Sequence, residues 1–181
     1  MNTKSMVLCA IFSAIICVFS VMTIPIGAVP ITLGTFGIML TAVILGAKKG
    51  ALSTAVFILL GAVGLPVFSG FKGGFHVLLG PTGGYIWSYI PMTLIIGLII
   101  KKLPEKKFAA MAKIFISCII GIAVCYAAGT AQFMAVQQVD LIKALTACVL
   151  PFIAFDIIKA LIATYAGYLV SSALKKAGYL K

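Results

Sequence analysis

Long unbroken apolar runs dominate the chain, and their length sets the first prediction. Six stretches are long and apolar enough to read as membrane-crossing helices: Met6 to Ile24, Ile31 to Ala47, Ala51 to Phe68, Tyr85 to Ile100, Ile114 to Val136 and Leu145 to Leu174. A hydrocarbon core about 30 Å thick takes roughly 20 residues of helix, with about 17–25 tolerated. The second and fourth stretches are short by that measure. Apolar positions run continuously through each stretch rather than alternating, which disfavours the strands of a membrane barrel. The predicted fold is all-α and integral to the membrane, with six transmembrane helices in one domain over residues 1–181.

Composition removes the alternatives. Hydrophobic residues make up 63% of the chain and charged residues 9%, against roughly 45–50% and about 25% in a soluble domain. Disorder needs low hydrophobicity and is excluded with the soluble globule. The net charge of +11 would admit a nucleic-acid partner, but every basic residue is Lys. A phosphate- or base-reading surface is expected to use the planar fork of Arg.

The positions of the lysines give the charge its meaning. Lys4, Lys48, Lys49, Lys101, Lys102, Lys106, Lys107, Lys113, Lys175, Lys176 and Lys181 fall on one side of a six-span chain. Lys72 and Lys143 fall on the other, and Lys159 lies inside the sixth span. Lysine-rich connections stay in the cytoplasm, so both termini are expected there and no nucleic acid is. The four-lysine connection faces the lipid headgroups or cytoplasmic water. The first stretch is read as a retained helix, because its apolar run exceeds the 7–15 residues of an ordinary signal core and no A-x-A site follows.

Catalytic chemistry is hard to assemble. The chain has no G-x-x-x-x-G-K-[ST] loop, so P-loop ATP hydrolysis is not expected. His76 is the single histidine, and the carboxylates are Glu105, Asp140 and Asp156, none close to another in sequence. General acid–base work needs a placed pair. Cys9, Cys17, Cys118, Cys125 and Cys148 show no zinc-ligand spacing and read as small hydrophobes. The chain is read as neither an enzyme nor a metal or cofactor protein.

The feature that stands out is Asp156 with Lys159. Each costs about 2.5–3.5 kcal/mol at the centre of a membrane helix, and a spacing of three puts them on one face, where they can pair. At about 1.5 Å per residue, Lys159 lies about 24 Å above Lys175, in the outer half of the bilayer. Two connections gather on the same side. One, Gly27 to Thr35, is uncharged and carries Pro30; the other, Leu65 to Tyr85, is glycine-rich and interleaved with Phe68, Phe71 and Phe75. Non-helical backbone at membrane depth is tolerated where it is buried or lines a cavity. The asymmetry points to capture of a small, partly apolar molecule from outside. A small-residue stripe, Ala10 and Ala14, marks one face of the first helix.

Three blocks resemble one known family. Gly80-Pro81-Thr82-Gly83-Gly84-Tyr85, preceded by Phe68 to Leu79, is similar to the loop of the BioY proteins, the biotin-specific substrate-binding (S) components of energy-coupling-factor (ECF) transporters. Pro30-Ile31-Thr32-Leu33 with Thr35-Phe36-Gly37 resembles their first-loop pattern, and Pro151-Phe152 with Asp156-Ile157-Ile158-Lys159-Ala160 their sixth-helix pattern. The blocks occur in family order over nearly the whole chain.

The resemblance implies a prokaryotic plasma-membrane protein that binds biotin at its outer face. It would dock on a transmembrane coupling subunit carried by two ATPases, through the A-x-x-x-A pattern that here falls on Ala10 and Ala14. The implied biotin contacts are Asp156, Lys159, Lys72, Thr32, Phe36, Gly74, Thr82, Gly83, Gly84, Tyr85 and Trp87. Asp156 can accept from the ureido N–H groups; Lys159 can meet either the ureido carbonyl or the tail carboxylate. Lys72 stands where the family has a small or amide residue, and Ala154-Phe155 where it often has Pro-Gly. The competing expectations are an S component for another vitamin and a solitary ion-coupled carrier using Asp156.

Overall fold

The computed structural model describes residues 3–24 and 30–179. Gly27 of the first outer connection and Lys181 of the cytoplasmic lysines lie outside the described residues. The chain runs α1 (Thr3–Val21), β1 (Thr23–Ile24), β2 (Ile31–Thr32), α2 (Gly34–Ala62), α3 (Phe75–Leu79), α4 (Gly83–Ile99), α5 (Lys107–Gln137), α6 (Leu141–Cys148) and α7 (Leu150–Lys176). The two short strands pair antiparallel, Thr23 opposite Thr32 and Ile24 opposite Ile31. Among the described residues, α1, α2, α5 and α7 are long and apolar enough to cross a membrane, and α4 is a shorter apolar helix.

The second and third apolar runs both fall on α2, which is broken at Gly46 (φ 74°, ψ −175°), a backbone conformation essentially reserved for glycine. The chain turns back there. A Cβ at Gly50 would sit 3.5 Å from the Cα of Ala42, so the two arms lie against each other. The bend is clasped by α4, where Gly97 lies against the backbone of Ala47. Next along, Thr54 and Thr93 share a hydroxyl hydrogen bond of 3.1 Å. The Lys48-Lys49 connection is thus a tight reversal. The first arm spans only about 18 Å at 1.5 Å per residue, and β2 lies directly before it.

The last apolar run also divides. Read as one span from Leu145, it is two helices with Val149 between them (φ −124°, ψ −58°). Pro151 stands in the first turn of α7, where a missing N–H breaks no helical hydrogen bond. Asp140 caps α6, its carboxylate accepting from the backbone N–H of Lys143 at 3.0 Å. At the other boundary, α5 begins at Lys107 rather than Ile114, because Lys-Phe-Ala-Ala-Met-Ala-Lys is rich in good helix formers.

Packing is close because small residues sit at the crossings. The main contacts of α2 are with α4 and α1, and α4 also packs along α5. The core between them holds Ile38, Met39, Phe57, Met92 and Ile96, all fully buried. Buried hydroxyls are satisfied within their own helices. Thr41 and Thr164 each donate to the carbonyl four residues back, one of Thr54 and Thr93 does so while the other donates across to it, and Ser13 lies within reach of Ser53 O on α2 at 2.9 Å.

The antiparallel course of the helices sorts their ends. The start of α1, the bend of α2, the end of α4, the start of α5 and the end of α7 lie together and carry the lysine-rich segments. Lys4 sits 5.4 Å over the ring of Tyr179 there, and Lys113 donates to Lys102 O at 2.8 Å. The opposite ends surround a cavity.

Candidate binding site

The cavity has a volume of about 290 Å³, at the lower edge of the roughly 300–1,000 Å³ of small-molecule sites. All seven helices, β2 and the connections between elements contribute to its walls, with Ser20 from α1, Val77 from α3 and Cys148 from α6. From α7 come Phe152, Asp156 and Lys159, spaced four and three so that all project from one face. From α4 come Tyr85 and Tyr89, and from α5 Tyr126, Phe133 and Gln137. Thr35 opens α2, and Thr32 closes β2. The α2–α3 connection supplies Phe68, Ser69 and Lys72, and the segment before α4 supplies Pro81 and Thr82.

Asp156 and Lys159 form an ion pair of 2.8 Å, and both are buried. Burying two charges is tolerated only when the remaining donors and acceptors are satisfied, and they are. Lys159 Nζ donates to Asp156 Oδ1, to Thr32 O at 2.7 Å and to Thr35 Oγ1 at 3.2 Å. That uses its three N–H groups. Thr35 in turn donates to Asp156 Oδ1 at 3.2 Å, and Tyr126 OH donates to Asp156 Oδ2 at 2.6 Å. The network ties α7 to β2, α2 and α5 at the cavity wall. Asp156 retains lone-pair capacity for a ligand donor, since a carboxylate accepts about four hydrogen bonds.

Of the residues singled out from sequence, Asp156, Lys159, Lys72, Thr32, Thr82 and Tyr85 line the cavity together. The others lie elsewhere. Phe36 packs edge-on against Phe19, ring centroids 5.2 Å apart. Gly74 precedes α3 with φ 103° and donates its N–H to Gly61 O at 2.7 Å. Gly83 and Gly84 are buried at the α4–α5 crossing, where any Cβ would run into Leu78 O and Ala128 O respectively. Trp87 follows Tyr85 by two residues, about 200° around the helix, so its ring leaves the cavity and is 43% exposed. Its indole N–H donates to Leu78 O at 3.2 Å, a carbonyl that Gln132 also binds at 2.9 Å. Trp87 and Gln132 therefore pin α3 beside the cavity. Ala10 and Ala14 lie on the exposed face of α1, with Val7, Ile11 and Val18. His76 is exposed on α3.

Sequence reasoning did not select Tyr126, Tyr89, Thr35, Ser69, Phe133 or Gln137. Tyr126 is the most consequential, because it supplies a hydrogen bond to the buried carboxylate.

The chain is similar in sequence and in fold to known proteins. Residues 1–176 match the BioY family. The chain is 41% identical over 173 residues to the biotin transporter BioY of Thermotoga maritima, covering 96% of each protein. It is 37% identical over 175 residues to the biotin transporter BioY2 of Lactococcus lactis, covering 96% of this chain and 94% of that one. A crystal structure of the S-component for biotin from an ECF-type ABC transporter superposes with a TM-score of 0.82 at 30% identity, covering 92% of each chain. Matched over nearly its whole length in sequence and in fold, the chain belongs to the BioY family.

Proposed function

We propose that the protein is the biotin-binding membrane subunit of an ECF-type importer, capturing biotin from outside the cell and delivering it to a coupling subunit driven by two ATPases. The observation that carries this reading is the cavity itself. A buried Asp156–Lys159 pair, with the ammonium satisfied by the protein and acceptor capacity left on the carboxylate, stands in an aromatic wall at the end of the bundle away from the lysine-rich segments. Biotin's ureido ring offers N–H donors on an apolar bicycle, which suits the free acceptor capacity of Asp156 among tyrosines. Six crossings follow if the two arms of α2 each count as one, with α1, α4, α5 and α7. The lysine-rich ends then face the cytoplasm and the cavity opens outward. ATP hydrolysis belongs to the partner subunits in this reading, and the chain is not itself an enzyme.

The test is equilibrium binding of biotin to the purified, detergent-solubilised protein, with thiamine and riboflavin as controls. Saturable binding of biotin alone is expected; no biotin binding, or tighter binding of another vitamin, would sink the reading. Tryptophan fluorescence is a poor sole probe, because Trp87 points away from the cavity.

Docking gives a second expectation. Ala14 lies on an exposed, wholly apolar face of α1, and small residues there let a partner helix approach closely. Ala14→Trp is expected to leave biotin binding intact and to abolish co-purification with the coupling subunit. Intact complex formation by this variant would remove α1 from the docking surface.

A further inference from the structure

Two polar groups in the cavity wall have unused hydrogen-bonding capacity. Ser69 Oγ is shut off from solvent and is the buried side-chain polar atom, among the described residues, without a hydrogen-bond partner. An unpaired buried hydroxyl is costly, so its persistence points to something that binds there. Lys72, three residues on, lines the same cavity, and its ammonium has no hydrogen bond or ion pair among the described residues.

The backbone brings the two together. Phe68 N–H donates to Lys72 O at 2.9 Å, closing a tight turn. Gly70 and Phe71 at its tip both have positive φ, 69° and 58°. Phe68 anchors the turn, being 1% exposed and packed edge-on against Phe57 at 5.6 Å. Ser69 and Lys72 are therefore held on one turn that lines the cavity, the Ser69 hydroxyl buried and Lys72 exposed.

Charge decides what they hold. The charged side chains lining the cavity are Asp156, Lys159 and Lys72. The first two neutralise each other at 2.8 Å, and Lys159 has no N–H left for another acceptor. The wall thus presents one uncompensated positive charge, at Lys72, beside a free hydroxyl donor. A single carboxylate satisfies both, its two oxygens accepting from Ser69 O–H and Lys72 N–H.

We propose that Ser69 and Lys72 form the anion subsite of the cavity and hold the carboxylate tail of the ligand, leaving Asp156 and Lys159 to its ureido end. The inference rests on the biotin reading above; Asp156, held by Lys159, accepts from the ureido N–H groups, so biotin lies with its ring toward α7 and its tail toward the α2–α3 turn.

The experiment compares biotin with biotinamide, whose ring and chain are the same but whose tail is neutral, on the detergent-solubilised full chain. Wild type is expected to prefer biotin by about 10- to 100-fold, the worth of hydrogen bonds to a charged group. In Lys72→Met that preference is expected to fall to within about threefold, and in Ser69→Ala to fall partway. Measurable binding of biotinamide by each variant reports that it is folded. Lys159→Met should weaken both ligands together and keep the preference. Undiminished preference in Lys72→Met, or none in wild type, overturns the subsite and leaves the biotin reading standing. Failure of wild type to bind biotin overturns both.

Discussion

Lys159→Met should destabilise the protein by about 3–5 kcal/mol, the usual penalty for leaving one half of a buried ion pair without its partner. Two facts place the effect at the upper part of the scale for single substitutions. Asp156 is 3% exposed, so water does not replace the lost ammonium. Thr32 O and Thr35 Oγ1 lose their donor in the same step. Asp156→Asn is milder for the fold, because the amide oxygen can still accept from Lys159 and Thr35 at the Oδ1 position while the amide NH2 donates to the hydroxyl oxygen of Tyr126. The double variant Asp156→Asn/Lys159→Met should therefore be more stable than Lys159→Met alone, a coupling that independent sites do not show. Chemical or thermal unfolding in detergent reads the cycle. Additive losses would mean that the pair contributes nothing as a pair. Biotin affinity should fall by about 1–3 kcal/mol in each single variant, the range for a lost hydrogen bond to a charged group: directly in Asp156→Asn, and in Lys159→Met because the carboxylate loses the ammonium that positions it. Wild-type affinity in both would make the pair structural only.

Asp156 and Lys159 were legible in the sequence because charge inside a bilayer is expensive and so rarely incidental. The helical segments were legible for a related reason, since lipid leaves no option but internally bonded backbone. What a bilayer erases is the distinction between the inside and the outside of a helix, as both faces are apolar. Tyr126 and Tyr165 look alike in their runs, yet Tyr126 binds Asp156 while Tyr165 is 55% exposed on the outside of α7. A finer signal was present. Tyr126, Thr130, Phe133 and Gln137 recur at intervals of four, three and four, a polar and aromatic stripe along one face of α5. The same geometry separates Tyr85 and Tyr89 from Trp87 on α4. The break of α2 at Gly46 and the orphaned hydroxyl of Ser69 had no such signal. The first depends on α4 clasping a reversal, the second on a turn fixed by Phe68 packing against a distant phenylalanine. Glycine admits close approach of either a ligand or a neighbouring helix, and at Gly84 the near neighbour is the α5 backbone at Ala128 and Gly129.

That crossing yields the second large effect, from one added methyl group. Gly129→Ala places a Cβ inside the ring of Tyr85, in overlap with three of its carbons. The ring lies flat on the α5 backbone only because Gly129 is bare, and Gly84 lets α4 approach closely enough to put it there. Its hydroxyl is held between Thr130 Oγ1 and Cys148 O, each at 3.4 Å, so the open direction for the displaced ring is the cavity. Overpacking of this kind costs about 1–3 kcal/mol. Here a ring pushed into the binding volume should also lower biotin affinity by about tenfold or more, since each 1.4 kcal/mol lost is a factor of ten. Gly121→Ala is the matched control. It lies on the same helix, and its added Cβ would meet Ile96 Cδ1 and Cγ1 and Met92 Cγ in the core, an overlap that costs stability but involves no residue of the cavity wall. Gly129→Ala/Tyr85→Leu should regain stability without regaining affinity, because the clash is removed but the aromatic wall is not restored. Equal behaviour of Gly121→Ala and Gly129→Ala in binding would mean that Tyr85 escapes elsewhere, and would remove the α4–α5 glycine crossing from the account of how this family member shapes its site.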